Sequence, residues 1–327
     1  MLTADLQPIR EAMLGMQRFS WEQGLAAQSL WEIGDDRMAY LLSYEAVHRQ
    51  TADGRLGVTH DAADAIDPGA NALPVLWTYE VTGKERYKDA FDRMIGFFKS
   101  APRSKAGIVY HNGNIRHTMV DGAYHLAPPL AAAGEQSFAM DQLRRFRQVL
   151  LDEKTKLYRQ IWSDELDGFE QPGYWGCGVG WILGAFALTA ACLDPADPDT
   201  PQYRAELGRY LSEGVDAFAG FLTEDGLTHD FLDDPSSFRE TAAVAMVSFA
   251  VYRGIQASVL PDSYLELADR MTDAFIPYID EDGFLQMGCS APTFNRPGVS
   301  TEDQAFALMS IKARDDIRNG RQFRFLR

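Results

Sequence analysis

The chain has 327 residues, 46% of them hydrophobic and 12% aromatic, which is the composition of a globular protein with a large core. Lys and Arg number 31 against 47 Asp and Glu, and the formal charge of −16 excludes a broad phosphate-binding face and argues against nucleic acid or an acidic membrane as partner. Three cysteines (Cys177, Cys192, Cys289) give no basis for a disulfide framework, fit a reducing compartment and read as core packing rather than nucleophiles.

From the amino terminus onward, apolar residues recur at spacings of three and four, the mark of helices with one buried face. The segments are 3–18, 21–33, 36–50, 69–82, 84–100, 121–134, 136–150, 178–193, 201–222, 237–257, 261–278 and 301–314. The first mixes charges into its apolar residues and has no secretory h-region. No apolar run reaches the roughly 18 residues of a membrane span; the longest, from Trp181 to Leu193, contains Gly184. A cytoplasmic protein is the expectation. Asp121, Thr200-Pro201 and a Ser237–Glu240 capping box read as helix starts, and Gly34, Gly83, Gly134 and Gly254 as stops. Strand patterns are scarce beside these, so the fold class is all-α.

Two kinds of helix alternate. ANALPVLWTY, GVGWILGAFALTAACL and ETAAVAMVSFAVYRG are apolar nearly all round, whereas KERYKDAFDRMIGFFKS and SYLELADRMTDAF carry a charged face. The first kind belongs inside and the second faces water, which implies an inner ring of helices wrapped by an outer one. A turn followed by an apolar residue recurs at Gly54, Gly107, Lys156, Gly226 and Gly283, a period near one sixth of the chain. Six helical hairpins account for both the period and the helix count. The expectation is an (α/α)6 toroid spanning 1–327 as one domain, with an open α-solenoid as the alternative.

In such a toroid the loops that lead into the inner helices lie at one end, and their polar residues converge. Those loops carry THDAADAIDPGAN, VYHNGNIRHTMVDGAYH, GYWGCGVGW, FRETA and RPGVSTEDQA. Asp, His and aromatic rings together suit a sugar cleft, where flat rings stack on pyranose faces and short polar groups bind hydroxyls. Asp64, Asp67 and Asp121 are each ordinary as turn or cap residues; brought to one cavity, two such acids can do acid/base work. His111, before a Gly/Asn turn, reads as ligand-facing, while His125 falls one turn inside a helix, where a core role is as natural. The histidine spacings match no compact zinc pattern, so no metal is expected, and GxSxG, P-loop, GxGxxG and HExxH motifs are lacking.

On these same loops the chain resembles the unsaturated rhamnogalacturonyl and unsaturated glucuronyl hydrolases of glycoside hydrolase families 105 and 88. ADAIDPG is similar to the family's LDSINPG-like segment, MVDGAYHLAPPLAAAG to its WVD-led helix, and GYWGCGVGW to its WGRGNGW loop; RETAAVAM and RPGVSTEDQAFALM resemble its last two inner helices. The resemblance implies a six-hairpin toroid that removes a 4,5-unsaturated uronic acid from lyase-generated oligosaccharides by hydrating a vinyl ether, with no cofactor. It implies Asp121 as general acid and base, Asp64 as the second acid, and His111, Trp175 and Trp181 as residues in contact with the sugar. Gln160 stands where the family has His, Met119 where it often has Trp, and Cys177 and Val179 where WGRGNGW has Arg and Asn. Arg116, Arg239 and Arg296 are the cations left to meet a uronate carboxylate, and Arg116 and His125 complete the candidate substrate contacts. Two other readings use the same residues: a hydrolase of saturated uronides with an Asp64/Asp121 carboxylate pair, and a non-catalytic helical-repeat binding protein.

Overall fold

The structure, a computed structural model, describes residues 6–17, 19–59, 63–289 and 294–327. Among them are twelve α-helices: α1 (Gln7–Met16), α2 (Ser20–Ile33), α3 (Asp36–His48), α4 (Ala72–Thr82), α5 (Glu85–Ser100), α6 (Gly122–Ala132), α7 (Gln136–Leu150), α8 (Gly176–Cys192), α9 (Thr200–Ala219), α10 (Ala242–Gln256), α11 (Leu265–Phe275) and α12 (Thr301–Arg318). They follow the segments expected from periodicity, and they sort by surface chemistry. Every residue of α6 and α8 is buried, and so is all of α10 except Ile255. By contrast α5 buries only Tyr87, Ala90, Phe91, Met94, Ile95 and Phe98, a single stripe at helical spacing.

The even-numbered helices form the inner ring. α2 packs on α4, α4 on α6, α6 on α8, α8 on α10 and α10 on α12; α12 then packs on α2 and closes the circle. That last contact distinguishes the toroid from an open solenoid, whose first and last helices never meet. The odd-numbered helices lie outside, each against its neighbours in the inner ring. None of the helices in the described residues is long and apolar enough to cross a membrane.

The repeated turn is one structure built five times. At Thr51–Arg55, Ser104–Ile108 and Thr223–Leu227 the first residue's N–H donates to the carbonyl of the last, and the glycine N–H donates back to the first carbonyl. The same turn recurs at Asp280–Phe284, and a form one residue longer spans Asp152–Leu157. Gly54, Gly107, Lys156, Gly226 and Gly283 all take positive φ, between 61° and 108°. Each turn reverses an outer helix toward the next inner one, so all five deliver the chain to the same end of the ring.

Among the described residues seven short strands decorate that end: β1 (His117–Met119), β2 (Ile161–Ser163), β3 (Gly168–Gln171), β4 (Thr228–His229), β5 (Arg239–Glu240), β6 (Gly288–Cys289) and β7 (Pro297–Gly298). They pair antiparallel as β1-β2-β3, β4-β5 and β6-β7. At two to four residues they are too short to leave a period in the sequence. Two boundary expectations are corrected. Gly254 does not end a helix but lies within α10, where a Cβ would come within 2.6 Å of Leu211 Cδ2; it is there for close packing. Ser237 does not cap α10, because its hydroxyl closes the preceding turn by donating to the Asp234 carbonyl at 2.7 Å; Glu240 caps instead, accepting from Ala243 N at 3.0 Å.

Candidate active site

Loop pairing brings the first acids together. Ala65 N and Ile66 N both donate to the His111 carbonyl, at 3.0 and 3.2 Å, and Asp64 forms a backbone bridge with Asn112. The 3-10 turn Asp67–Asn71 then lies directly on α6. Gly69 permits this approach, since a Cβ there would stand 2.4 Å from the His125 carbonyl oxygen and 2.6 Å from Phe98 Cζ. The Asp67 carboxylate is thereby set beside Asp121, the residue at the N-cap of α6. His111 bridges them, with Nε2 3.3 Å from Asp67 Oδ1 and Nδ1 3.8 Å from Asp121 Oδ2.

The remaining wall comes from the other inner helices. Val120 N donates to the Gln160 carbonyl at 3.1 Å, extending the β1-β2 pairing and holding Gln160 next to Asp121. Trp175 occupies the N-cap of α8, meets Phe294 edge-on at 6.1 Å, and donates from Nε1 to Cys289 Sγ at 3.3 Å. Trp181, deeper in α8, packs edge-on against His125 at 5.0 Å. α2 and α12 contribute Trp21 and Glu302, joined by a 3.0 Å bond from Trp21 Nε1 to Glu302 Oε2. With Met119 these side chains enclose a cavity of about 170 Å³.

Burial splits the acids into unlike pairs. Burial and then Asp67 push Asp64 up to about 8. Asp67 is largely buried too, but the His111 imidazolium and a hydrogen bond from Asp64 hold it below the ordinary carboxylate range. Burial pushes Asp121 up, against the pull of His111. Burial would lower His111, yet Asp121 and Asp67 outweigh it and carry the ring to about 10. Burial drops His125 to about 4, so it is a neutral ring. Burial and the neighbouring Glu22 raise Glu302 to about 8. Three polar atoms of this group, Asp121 Oδ1, His111 Nδ1 and His125 Nδ1, have no hydrogen-bond partner among the described residues, which is common where a ligand is to be met.

Of the residues singled out from sequence, the fold brings Asp121, His111, His125, Gln160, Trp175 and Trp181 to one wall. Asp64 lies one layer back. It accepts from Asp67 N at 3.2 Å and from Ser20 Oγ at 3.4 Å, and Asp67 takes the place on the wall. Arg116 and Arg296 are corrected: both are exposed and neither lines the cavity. Arg239 is engaged in an ion pair with Asp225. Sequence reasoning missed Trp21, Met119, Phe294 and Glu302 as wall residues. Trp21 and Glu302 were within reach of it, because both sit in the first turn of an inner helix. The donor atoms of Asp67, Asp121 and His125 lie within 4.8 Å of one another, as do those of Asp64, Asp67 and His111. Metal ligation is not needed to balance the acids, since the His111 imidazolium already stands between them.

A closed double ring of helices with a paired-acid, aromatic-walled cavity at one end defines a class of helical-toroid glycoside hydrolases. Residues 5–300 match the model of Glycosyl Hydrolase Family 88, and the chain belongs to that family. It is similar to the unsaturated rhamnogalacturonyl hydrolase YesR of Bacillus subtilis, 27% identical over 224 residues, an alignment covering 64% of this chain and 62% of that protein. Among solved structures, a family 105 glycoside hydrolase from C. acetobutylicum superposes with a TM-score of 0.79 at 18% identity, covering 95% of this chain and 99% of that one. A family 88 glycosyl hydrolase from Bacteroides vulgatus does so with a TM-score of 0.74 at 14% identity, covering 98% of each chain. At these identities the likeness establishes the fold.

Proposed function

We propose that this glycoside hydrolase removes a terminal 4,5-unsaturated uronyl residue from lyase-generated oligosaccharides by hydrating its vinyl ether. The observation that carries the reading is the pair Asp67 and Asp121 with His111 between them: one carboxyl is held ionised and the other kept protonated on the same wall. The family membership and the similarity to YesR support the substrate class.

Asp121, protonated, delivers its proton to C4 of the double bond, and positive charge develops at C5 and the ring oxygen. The Asp121 carboxylate then takes a proton from water as the water oxygen bonds to C5, which restores the acid. The resulting hemiketal opens by breaking the bond from C5 to the ring oxygen, leaving a ketone at C5 and a hemiacetal at C1. The hemiacetal expels the next sugar as an alcohol, and C1 becomes an aldehyde. The ionised Asp67 stabilises the developing positive charge, while Asp64 donates to Asp67 from behind. Trp175 and Trp181 stack on or edge the ring, and His111, His125 and Gln160 are positioned for its hydroxyls.

The test is loss of the ultraviolet absorbance of the conjugated double bond in unsaturated uronides prepared from pectic, glycosaminoglycan and other polymers. Asp121→Asn should lower kcat by ~10²–10⁴-fold, the span of a general acid's contribution, with unchanged helix content by circular dichroism. Retained turnover would remove Asp121 from the role, and cleavage of a saturated chromogenic uronide at a comparable rate would favour a two-carboxylate displacement.

A further inference from the structure

We propose that the cavity accepts its unsaturated uronyl group with the C6 carboxyl uncharged, as an ester; the proposal rests on the vinyl-ether reading above and narrows its substrate. The charge on the wall points there. Among the described residues lining the cavity are Asp67, Asp121 and Glu302 and no Lys or Arg, and the one ring held as a cation, His111, is already shared by two of those acids. Asp121 and Glu302 keep their protons, so the ionised acid of the wall is Asp67, and His111 already matches its charge; a free carboxylate entering here finds no guanidinium to pair with, whereas an ester brings no charge that needs one.

The side chains packed behind the wall are acids as well, and burial keeps them protonated rather than charged. Cys177 occupies the position at which the resembling WGRGNGW loop carries Arg, and its Sγ lies 3.6 Å from Glu240 Oε1. Glu240 and Asp303 are both fully buried there, and neither oxygen of Asp303 has a hydrogen-bond partner among the described residues. The three arginines singled out from sequence do not compensate, since Arg116 and Arg296 are exposed off the wall and Arg239 is paired with Asp225. In their place the wall offers Met119, Trp175 and Phe294, apolar groups suited to an ester methyl.

Chemistry supplies such a substrate. A 4,5 double bond arises by β-elimination, which needs a carbonyl at C6 to acidify the C5 proton, and an ester serves as well as an acid. The class of reaction that must come before this enzyme is thus a β-eliminating lyase working on an esterified uronan. At a formal charge of −16, the chain also repels the polyanionic free-acid oligomers.

The test compares an unsaturated diuronide methyl ester with the same compound after enzymatic de-esterification, reading kcat/KM from loss of the double-bond absorbance. The ester should be preferred by ~10-fold or more, the scale of leaving an enclosed charged group without a hydrogen-bonding or ionic partner. Gln160→Arg, and independently Met119→Arg, each put a cation on the wall and should shrink or reverse the ratio. Equal or better turnover of the acid by the wild type overturns the ester proposal and leaves the hydrolase reading standing. An unchanged ratio in both folded variants also overturns it, because charge would then not be the cause. Turnover of neither compound by folded wild-type protein overturns the hydrolase reading, and this proposal with it.

Discussion

Asp67 and Asp121 carry the same carboxyl group and differ in acidity because of what surrounds each one. Burial opposes charge on both, but His111 and a hydrogen bond from Asp64 reverse that for Asp67 alone. The same burial makes the protein pH-sensitive. Burial keeps Asp64, Glu240 and Glu302 protonated to about 8 and Asp230 to about 6, whereas in an unfolded chain such groups ionise at ordinary values of 3.8 to 4.5. Across that window the folded chain binds more protons than the unfolded one, so stability falls as pH rises. His111 acts in the same direction. Raised from 6.5 to about 10, its contribution is fully present below the lower value and is lost as pH climbs through the upper one. The thermal midpoint should therefore drop steadily from about pH 5.5 to about pH 9. A midpoint that rises over this range would show that these groups are not buried as the structure has them.

At the scale of elements, the five turns between outer and inner helices deliver the loops that line the cavity to one end. Four use glycine at the positive-φ position and one uses Lys156, at φ 61°. An L-residue with a Cβ pays roughly 1 kcal/mol to hold that conformation. Lys156 also pairs with Glu153, but both side chains are largely exposed and such a pair contributes little. Lys156→Gly should stabilise the protein by up to about 1 kcal/mol in urea melts, with kcat unchanged, since the left-handed strain outweighs the lost ion pair and the added freedom of the unfolded chain. A destabilised variant would mean that the turn depends on the lysine side chain. Helix positions and this turn repeat were legible because each leaves a period in the chain. The short strands were not, and neither was the exchange of Ser237 for Glu240 as a cap, since competing hydrogen bonds decide which of two nearby polar residues serves.

At the scale of the molecule, the end opposite the cavity is closed by the carboxyl-terminal segment. Phe325 stacks on Trp77 at 4.4 Å and meets Trp31 edge-on, and Arg253 lies against the Phe323 ring. Beneath this cover Arg253 Nη2 donates to Glu32 Oε2 at 2.5 Å, both side chains being only 2% exposed. Removing one partner leaves a buried charge uncompensated. Glu32→Ala should cost about 3–5 kcal/mol in chemical denaturation, and the double variant Glu32→Leu with Arg253→Met should recover most of it. A neutral Glu32→Ala would show that water reaches the arginine.

Sequence alone determined the two kinds of helix and their pairing into hairpins. Alternating all-apolar and amphipathic helices bury their surfaces as an inner layer with an outer wrap, and the repeated turns give six hairpins, but an open solenoid satisfies both, and the packing of α12 on α2 closed the ring. It also singled out Asp121 and His111, because the loops leading into inner helices converge, while Trp175 and Trp181 came from the resemblance to families 105 and 88. Tertiary structure decided the rest. Asp64 and Asp67 stand three residues apart in one loop, and only the seating of Gly69 on the His125 carbonyl turns Asp67 toward the cavity and leaves Asp64 behind it. Which acid keeps its proton, and the acidic ground behind Trp175, likewise depend on residues from separate helices meeting across the ring, a relation that no local spacing encodes.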